Sequence, residues 1–242
     1  YLTQGISWKS DYVLTLAADS KSAGLDGWVT IQNNSGATYR DARLQLIAGD
    51  INQVQPLASP QQRGMVAMDG ASAAAPQFQE KSFFEYHLYT LQRPATVKEN
   101  QQKQISLLSA AGVQVEKVLR LRGQQWYYSQ QYGGGDEQKE EVALRLRNSQ
   151  ANHMGMPLPK GIVRVYQKEE DGAAQFIGED QIDHTPKDET LDMRIGTAFD
   201  IKAERKQTDF KIINNCTFEM AYEISLRNHK AEPATVLVTE PI

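Results

Sequence analysis

The sequence predicts an all-β fold, either as two antiparallel β-sandwich domains of the immunoglobulin-like type or as one elongated β-sandwich assembly. Apolar residues recur at every second position in many short segments, which is the period of a half-buried strand. Clusters of Gly, Pro, Asn and Asp separate these segments at short intervals, as is typical of sandwiches and barrels. A chain of 242 residues is long enough to bury the core of either arrangement.

The first part of the chain predicts a meander of antiparallel strands. Alternation is present at 6–17 and 27–32, and it resumes at 40–47 after a turn at 33–36 whose side chains can cap backbone groups. The segment 83–91 carries aromatic residues on both of its faces. We therefore expect a strand there that is covered on both sides.

The middle of the chain has weaker strand signals. Residues 56–80 are rich in Ala, Gly, Pro, Gln and Ser without a strand period, and they predict a surface insertion or a flexible partner-binding loop. Helix competes with strand at 99–122, because Gln and Glu are compatible with both. Gly112 and the alternation at 105–109 and 113–122 favour strands.

A break between two domains is predicted around 123–138, where residues 133–135 are three successive glycines. We therefore expect one β-sandwich at 1–128, with the insertion at 56–80, then a Gly- and Gln-rich linker at 129–138 and a second β-sandwich at 139–242. Strand patterns in the second sandwich lie at 141–148, 161–167, 174–182, 189–196, 199–205, 218–228 and 234–240.

Three of the strand patterns end in the same way, at 29–33, 144–148 and 224–228. In each, two apolar residues two positions apart are followed by Asn, and a polar turn comes next. An Asn at the end of a strand can hydrogen-bond the backbone of its own turn. The unequal separations favour recurring hairpins over a solenoid repeat.

Composition and charge restrict the classes of function. A formal net charge of −4 and a pI of about 5.7 argue against broad nucleic-acid binding, which usually requires a basic face. No segment approaches the roughly 18 apolar residues of a membrane helix. The single cysteine, Cys216, excludes an intrachain disulfide and is expected to be a buried, inert thiol. Because the sequence starts at Tyr1 inside a strand pattern, we expect it to be part of a longer chain.

A dense cluster of acidic residues and one histidine lies at 179–189. Hard cations take carboxylate oxygens and His adds a zinc-type ligand, so the cluster is a candidate divalent-metal site. Its spacing matches neither a calcium loop nor an HExxH motif, and Pro186 also favours an ordinary solvated turn. The candidate metal ligands are Asp183, His184, Asp188 and Glu189.

Two further groups of side chains are candidates for binding. Trp126, Tyr127, Tyr128 and Tyr132 lie among Gln and Ser residues, where they would stack on sugar rings or pack at the domain junction. Two pairs of arginines with period two predict either a stripe for an anionic ligand or a solvated strand face that discourages edge pairing. The pairs are Arg120 with Arg122 and Arg145 with Arg147.

Signatures of common catalytic sites are missing from the sequence. It contains no nucleophile elbow, phosphate-binding loop or dinucleotide fingerprint. No catalytic residue and no cofactor is therefore predicted.

Long blocks of the chain resemble a known family. They are ISWKSDYVLTL with GWVTIQNNSGATYRDARLQLIAGD, EYHLYTLQRPATVKENQQKQISLL, and MPLPKGIVRVYQ through FIGEDQIDHTPKDETLDMRIGTAFDIKAERKQTDF. In these blocks the chain resembles the C-terminal region of mucoidy inhibitor A-like bacterial proteins, a domain of unknown function numbered 4139. The resemblance covers most of the chain outside 56–80 and 123–138. It supplies no established catalytic residues.

The resemblance implies an exported bacterial protein, periplasmic or on the cell surface, in which an N-terminal domain and a coiled coil precede this region. We therefore expect a non-enzymatic binding or scaffolding module of the cell envelope, linked to exopolysaccharide or surface assembly. Its expected partners are an envelope protein or polysaccharide and its own N-terminal domain. The alternative is a divalent-metal-dependent hydrolase that acts on surface polysaccharide through 179–189.

Overall fold

The computed structural model describes residues 3–49, 67–68, 77–133, 135–214 and 216–241, with the side chains of 67, 68 and 136 left out. These residues form strands, turns and short 3₁₀ helices without any α-helix, so the all-β prediction is confirmed. The predicted insertion at 56–80 lies outside the described residues apart from 67–68 and 77–80. The strands are β1 (Ile6–Leu16), β2 (Ser22–Asn33), β3 (Tyr39–Ala42), β4 (Gln45–Ala48), β5 (Ala67–Met68), β6 (Phe78–Phe83), β7 (Tyr86–Leu91), β8 (Ala95–Val97), β9 (Gln101–Gln114), β10 (Glu116–Arg122), β11 (Gly135–Gln138), β12 (Glu141–Arg147), β13 (Gly161–Lys168), β14 (Ala174–Ile182), β15 (Thr190–Thr197), β16 (Ile201–Asn214), β17 (Thr217–Asn228) and β18 (Val236–Thr239).

The chain divides into two compact units, and each is built from two separate stretches. The first contains Tyr1–Val115 and Leu146–Leu191, and the second contains Glu116–Arg145 and Asp192–Ile242. This differs from the two contiguous domains expected from the sequence. The reason is that β13, which lies in the C-terminal half of the sequence, pairs in parallel with β1 near the start of the chain.

The first unit is organised around a sheet with the strand order β14-β13-β1-β2-β9-β5. Tyr12, Leu14 and Leu16 of β1 are fully or almost fully buried. Gly27 lies opposite Tyr12 on β2, and a Cβ at that position would lie 2.9 Å from the Tyr12 ring. The absence of a side chain on Gly27 therefore makes room for the ring, and the Tyr12 hydroxyl donates a hydrogen bond to the Pro159 carbonyl at 2.8 Å.

The segment 83–91, expected to be one strand covered on both sides, is instead the turn and second strand of a hairpin. β6 and β7 pair antiparallel and are joined at Phe84–Glu85, where Phe84 has a φ of 56° and is 82% exposed. The alternation of aromatic residues across a tight turn imitates a continuous strand, which explains the wrong prediction.

The Asn residues predicted at strand ends do bond the backbone of their own turns. The Asn33 side chain donates to the Ala37 carbonyl at 2.8 Å, and the Asn228 side chain donates to the Glu232 carbonyl at 2.8 Å. The Asn148 side chain donates to the carbonyls of Met156 and Pro186 at 2.8 and 2.9 Å. Each amide therefore ties the end of its strand to the backbone of the turn that follows.

The second unit contains a sheet with the order β15-β12-β10-β18 and another with the order β11-β16-β17. Its core includes Leu119, Ala198 and Ile201. The predicted linker at 129–138 ends in a strand, because β11 pairs antiparallel with β16 over Gly135–Gln138. β16 and β17 form a long hairpin, and its register runs from Ile201 opposite Asn228 to Asn214 opposite Thr217.

Candidate binding surface

The aromatic residues singled out by the sequence meet around one buried cation. A 3₁₀ helix at Gln125–Tyr128 follows β10 and places Trp126 and Tyr127 in contact, with ring centroids 4.2 Å apart. Tyr132 stands edge-on to Trp126 at 5.3 Å, and Tyr128 packs on Tyr222 of β17 at 5.3 Å. Tyr127, Tyr128 and Tyr222 contact the side chain of Arg205, and we call this cation and the five rings the Arg205 cluster.

Arg205 of β16 has no solvent-exposed surface. Its guanidinium carbon lies 4.9 Å from the ring centroid of Tyr127 and 5.7 Å from that of Tyr222. At these distances the negative faces of the two rings attract the cation, and the attraction is strengthened by the exclusion of water. The two tyrosines therefore compensate part of the cost of burying the charge.

The remaining compensation comes from Glu240, which follows β18. Arg205 forms an ion pair and hydrogen bond with the Glu240 carboxylate, and it donates a second hydrogen bond to the Tyr128 hydroxyl at 3.4 Å. The Tyr128 hydroxyl in turn donates to Glu240. Burial, and then the hydrogen bond to Glu240 and its charge, raise the pKa of Tyr128 to about 12. Burial lowers the pKa of Arg205, but the hydrogen bond and charge of Glu240 outweigh it and leave this pKa raised.

The structure thus brings the four predicted aromatics together, but mainly for internal packing. Tyr127 is buried, and Tyr128 is engaged with Arg205 and Glu240. Trp126 is 42% exposed and Tyr132 is half-buried. Sugar binding stays a prediction, and it now concerns chiefly the outer surface of Trp126.

The predicted metal ligands at 179–189 lie at a turn whose backbone is in use. The Asp188 amide donates to the Asn148 carbonyl at 2.7 Å, and the Thr185 hydroxyl donates to the Asp183 carbonyl at 2.9 Å. His184 accepts a hydrogen bond at Nδ1 from the Lys160 amide at 3.2 Å. Within the described part of the chain, no three His, Cys, Asp or Glu side chains are grouped to hold a metal ion.

The predicted arginine stripe is largely an ion-pair network in the sheet of β10, β12 and β15. Arg120 is buried and bonds both Asp192 and Glu141. Arg145 also reaches Asp192, at 3.2 Å, and Arg122 lies 3.6 Å from Glu141. Three of the four predicted arginines therefore have carboxylate partners within the protein.

The ion-pair network also changes the pKa of Asp192. Burial opposes ionisation of Asp192, but hydrogen bonds from Arg120 and Arg145 and their charges outweigh it, and they hold the pKa of Asp192 below its ordinary value. The arrangement stabilises the sheet and leaves less free positive charge for an anionic ligand than the sequence suggested.

The β16–β17 hairpin has one predominantly apolar face along its length. Side chains that face each other across the two strands lie on the same side of the sheet. The pairs on this face are Ile201 with Asn228, Ala203 with Leu226, Arg205 with Ile224, Gln207 with Tyr222, Phe210 with Met220 and Ile212 with Phe218.

The β16 side chains of this face are covered only near the start of that strand, and Leu226 of β17, opposite Ala203, is 42% exposed. Near the start of β16, Ile201, Ala203 and Arg205 are buried. Toward the turn of the hairpin, Ile212 is 72% exposed and Phe218 is 43% exposed. We call this uncovered end, formed by Phe210, Ile212, Phe218 and Met220, the apolar hairpin end.

The turn of the hairpin also corrects the prediction for the single cysteine. Cys216 is exposed, and its amide donates to the Asn214 side chain at 2.9 Å. The apolar run around Phe218 suggested burial, but that run faces an uncovered side of the sheet. The thiol therefore lies next to the apolar hairpin end and is accessible to reagents.

Arg205, Glu240 and the apolar hairpin end were not found from the sequence. A signal for Arg205 exists, because it has the same parity as the apolar Ile201 and Ala203 in the strand pattern at 199–205. The continuation of β16 beyond that pattern is hidden by a bulge between Gln207 and Asp209, where the alternation changes phase. Glu240 carries no such signal, because it meets Arg205 only after the chain has folded.

Comparisons with known proteins identify a family. The family model described as "Domain of unknown function (DUF4139)" matches residues 1–242. No curated protein and no solved structure matches the chain. Among the described residues, no helix is both long and apolar enough to cross a membrane.

Proposed function

The chain belongs to the DUF4139 family of domains of unknown function, and from this premise we propose that it is a non-enzymatic protein-binding and scaffolding module of the bacterial cell envelope. The observation that carries the proposal is the apolar hairpin end. An envelope location is supported by the resemblance of long blocks of the sequence to mucoidy inhibitor A-like proteins.

The composition of the apolar hairpin end suits a protein partner. The Phe210 and Phe218 rings are stacked at 5.7 Å, and Ile212 extends the same face. Clustered exposed apolar side chains on a sheet surface are typical of interaction sites and unfavourable when left in water. An apolar face on a sheet contacts another polypeptide over a larger area than it would contact a hydrated sugar.

The Arg205 cluster gives this surface a rigid base. The Tyr222 hydroxyl donates to the Tyr127 carbonyl, and Gln207 donates to the same hydroxyl at 2.9 Å. Gln207 also accepts from the Tyr132 amide at 2.7 Å. These bonds tie both strands of the hairpin to the segment after β10. A preformed surface loses less conformational entropy on binding, which favours affinity.

The alternative of a metal-dependent hydrolase has no observation in its favour. The described residues at 179–189 form the end of β14, where Ile182 is buried, and the turn that follows it, and they are not grouped as metal ligands. We therefore do not assign hydrolysis to this chain.

Site-specific photo-cross-linking tests the proposed function. A photoreactive amino acid replaces Ile212 in the full chain, and bacterial cells export this variant. After irradiation, the cross-linked products are identified by mass spectrometry. The matched control is the same amino acid at Lys211, which is also exposed but on the opposite face of β16. We expect polypeptide adducts from position 212 and few from position 211.

Two outcomes would contradict the proposal. The first is the absence of polypeptide adducts at 212 in cells where the protein is folded and exported. The second is an equal yield at both positions, which would indicate random collision. Glycan adducts from a photoreactive group at Trp126, without polypeptide adducts at 212, would favour sugar binding instead.

A further inference from the structure

We infer that the partner of this hairpin is a second copy of the same chain, paired edge to edge through β17 in antiparallel orientation. The inference rests on the proposed function, because it names the polypeptide that the hairpin binds. β17 is the last strand of the sheet β11-β16-β17, so one side of its backbone faces no described strand. No backbone hydrogen bond joins β17 to a described residue outside β16.

The free edge of β17 is long and regular, and its only protecting feature is the charge of Glu219, Glu223 and Arg227 on one face. Protein sheets protect their edges with prolines, bulges, inward charges or very short strands. β14, an edge of the large sheet, has an irregular register at Val165/Tyr166, and it carries Gly178, Glu179 and Asp180. β18 has only four residues. β17, in contrast, has twelve residues that include neither Pro nor Gly.

The apolar side chains of β17 restrict the register of a paired copy. Phe218, Met220, Tyr222, Ile224 and Leu226 lie on one face, so only registers that keep these faces on the same side bury them together. In a two-fold arrangement with Tyr222 opposite the partner's Tyr222, Phe218 meets Leu226 and Met220 meets Ile224. Phe218 and Leu226 are 43% and 42% exposed in the single chain, and each would cover the other.

The charges on the other face are compatible with the Tyr222-centred register. Glu219, Glu223 and Arg227 are spaced four residues apart along β17. A slide of two residues in one direction sets Glu219 opposite Glu223 of the second copy at two places, and like charges directly opposite each other are destabilising. A slide in the other direction sets Glu223 opposite Glu223 once and Glu219 opposite Arg227 twice. In the Tyr222-centred register, Glu219 faces Ser225, Glu223 faces Ala221 and Arg227 faces Thr217, so no like charges oppose.

The first arm of the test measures self-association of the full chain and its geometry. Sedimentation velocity up to roughly 1 mM protein should show a reversible monomer–dimer equilibrium, because a single strand pair makes a small interface. A nitroxide on Cys216, the one cysteine of the chain, reports the register. Cys216 would lie opposite Asn228 of the second copy, so the strand rise predicts a distance of about 40 Å between the labels.

The second arm uses a matched pair of substitutions at Thr217, which is exposed and faces Asn214 of β16 in its own chain. In the inferred register Thr217→Glu sets a carboxylate opposite Arg227 at two symmetric places, and Thr217→Lys sets an ammonium there. We expect the dissociation constant of the dimer to fall about five-fold with Glu and to rise about five-fold with Lys.

Each result decides the inference. A dimer with labels about 40 Å apart and opposite shifts for the two Thr217 variants supports it. A chain that stays monomeric, a label distance below about 20 Å from hairpin ends stacked together, or equal shifts for both variants overturns it. A monomer that still cross-links a different polypeptide through position 212 overturns the inference alone, whereas the absence of any adduct at 212 overturns the proposed function.

Discussion

Replacing Arg205 by Met should strongly destabilise the protein. Met is unbranched and apolar, so it fills much of the space but removes the charge that neutralises Glu240, whose side chain is only 19% exposed. Loss of one partner of a buried ion pair typically costs about 3–5 kcal/mol, since the other charge stays buried without compensation. The attraction between the guanidinium and the rings of Tyr127 and Tyr222 is lost as well.

Urea unfolding followed by circular dichroism and tryptophan fluorescence measures this loss. For a chain of this size, each kcal/mol corresponds to about 2–4 °C, so the melting temperature should fall by roughly 6–20 °C. The control is Arg227→Met on the neighbouring strand, which removes an exposed ion pair with Glu204 and should cost less than about 1 kcal/mol.

A double variant separates charge from packing. If the uncompensated carboxylate causes most of the loss, Arg205→Met combined with Glu240→Gln should recover a large part of the stability lost in Arg205→Met alone. If the losses of the two single variants simply add, the side chain stabilises the hairpin by packing. A loss below about 1 kcal/mol for Arg205→Met would refute the reasoning altogether.

Three further predictions concern charge. Glu140 is fully buried, and its carboxylate oxygens reach no hydrogen-bond partner in another described residue. Burial raises its pKa and outweighs the lowering by its own backbone amide and by the charge of Lys202. Ionisation of Glu140 destabilises the fold as pH rises above the ordinary pKa of 4.5. Glu140→Gln should therefore stabilise the protein on the order of 1 kcal/mol at pH 7 and not at pH 4, as read from melting curves. The control, Glu137→Gln at an exposed position of β11, should have no effect. Asp192 has a lowered pKa, so its contribution is present above its ordinary value of 3.8 and is lost as pH falls through the lower folded value. Asp192→Asn should therefore cost about 1 kcal/mol at pH 7, and urea titrations below pH 3 should show the difference disappearing. Adding Ca²⁺, Zn²⁺ or a chelator should leave the melting temperature unchanged, and a rise that depends on metal concentration would show a site that the described residues do not form.

The strands were predictable because their signal is local. The period-two patterns at 6–17, 161–167 and 174–182 correspond to β1, β13 and β14 within about one residue at most ends. The role of Asn148 was also predictable, since an Asn amide bonds a turn that begins at its own position.

Strand pairing and the Arg205 cluster could not be predicted in the same way. β1 meets β13 in parallel with Ser10 opposite Gly161, and nothing near Ser10 in the sequence specifies that partner. Arg205 and Glu240 are likewise distant in sequence, and each resembles an ordinary surface charge. Burial creates the need for the pair, and burial depends on the whole unit. The exposure of Cys216 has the same origin, because a local apolar run does not reveal whether anything covers it.

The division of each unit between two stretches of chain affects how the protein is made. During translation, β1 and β2 leave the ribosome long before β13, which follows β1 after more than half of the chain. At roughly 5–20 residues per second, β1 waits on the order of 10 s for its parallel partner. During that time one edge of β1 is unpaired, although Tyr12, Leu14 and Leu16 of this strand are almost fully buried in the folded protein. The nascent chain therefore passes through a prolonged interval of vulnerability to aggregation, and a holding chaperone should increase the yield of folded protein more than slower synthesis does.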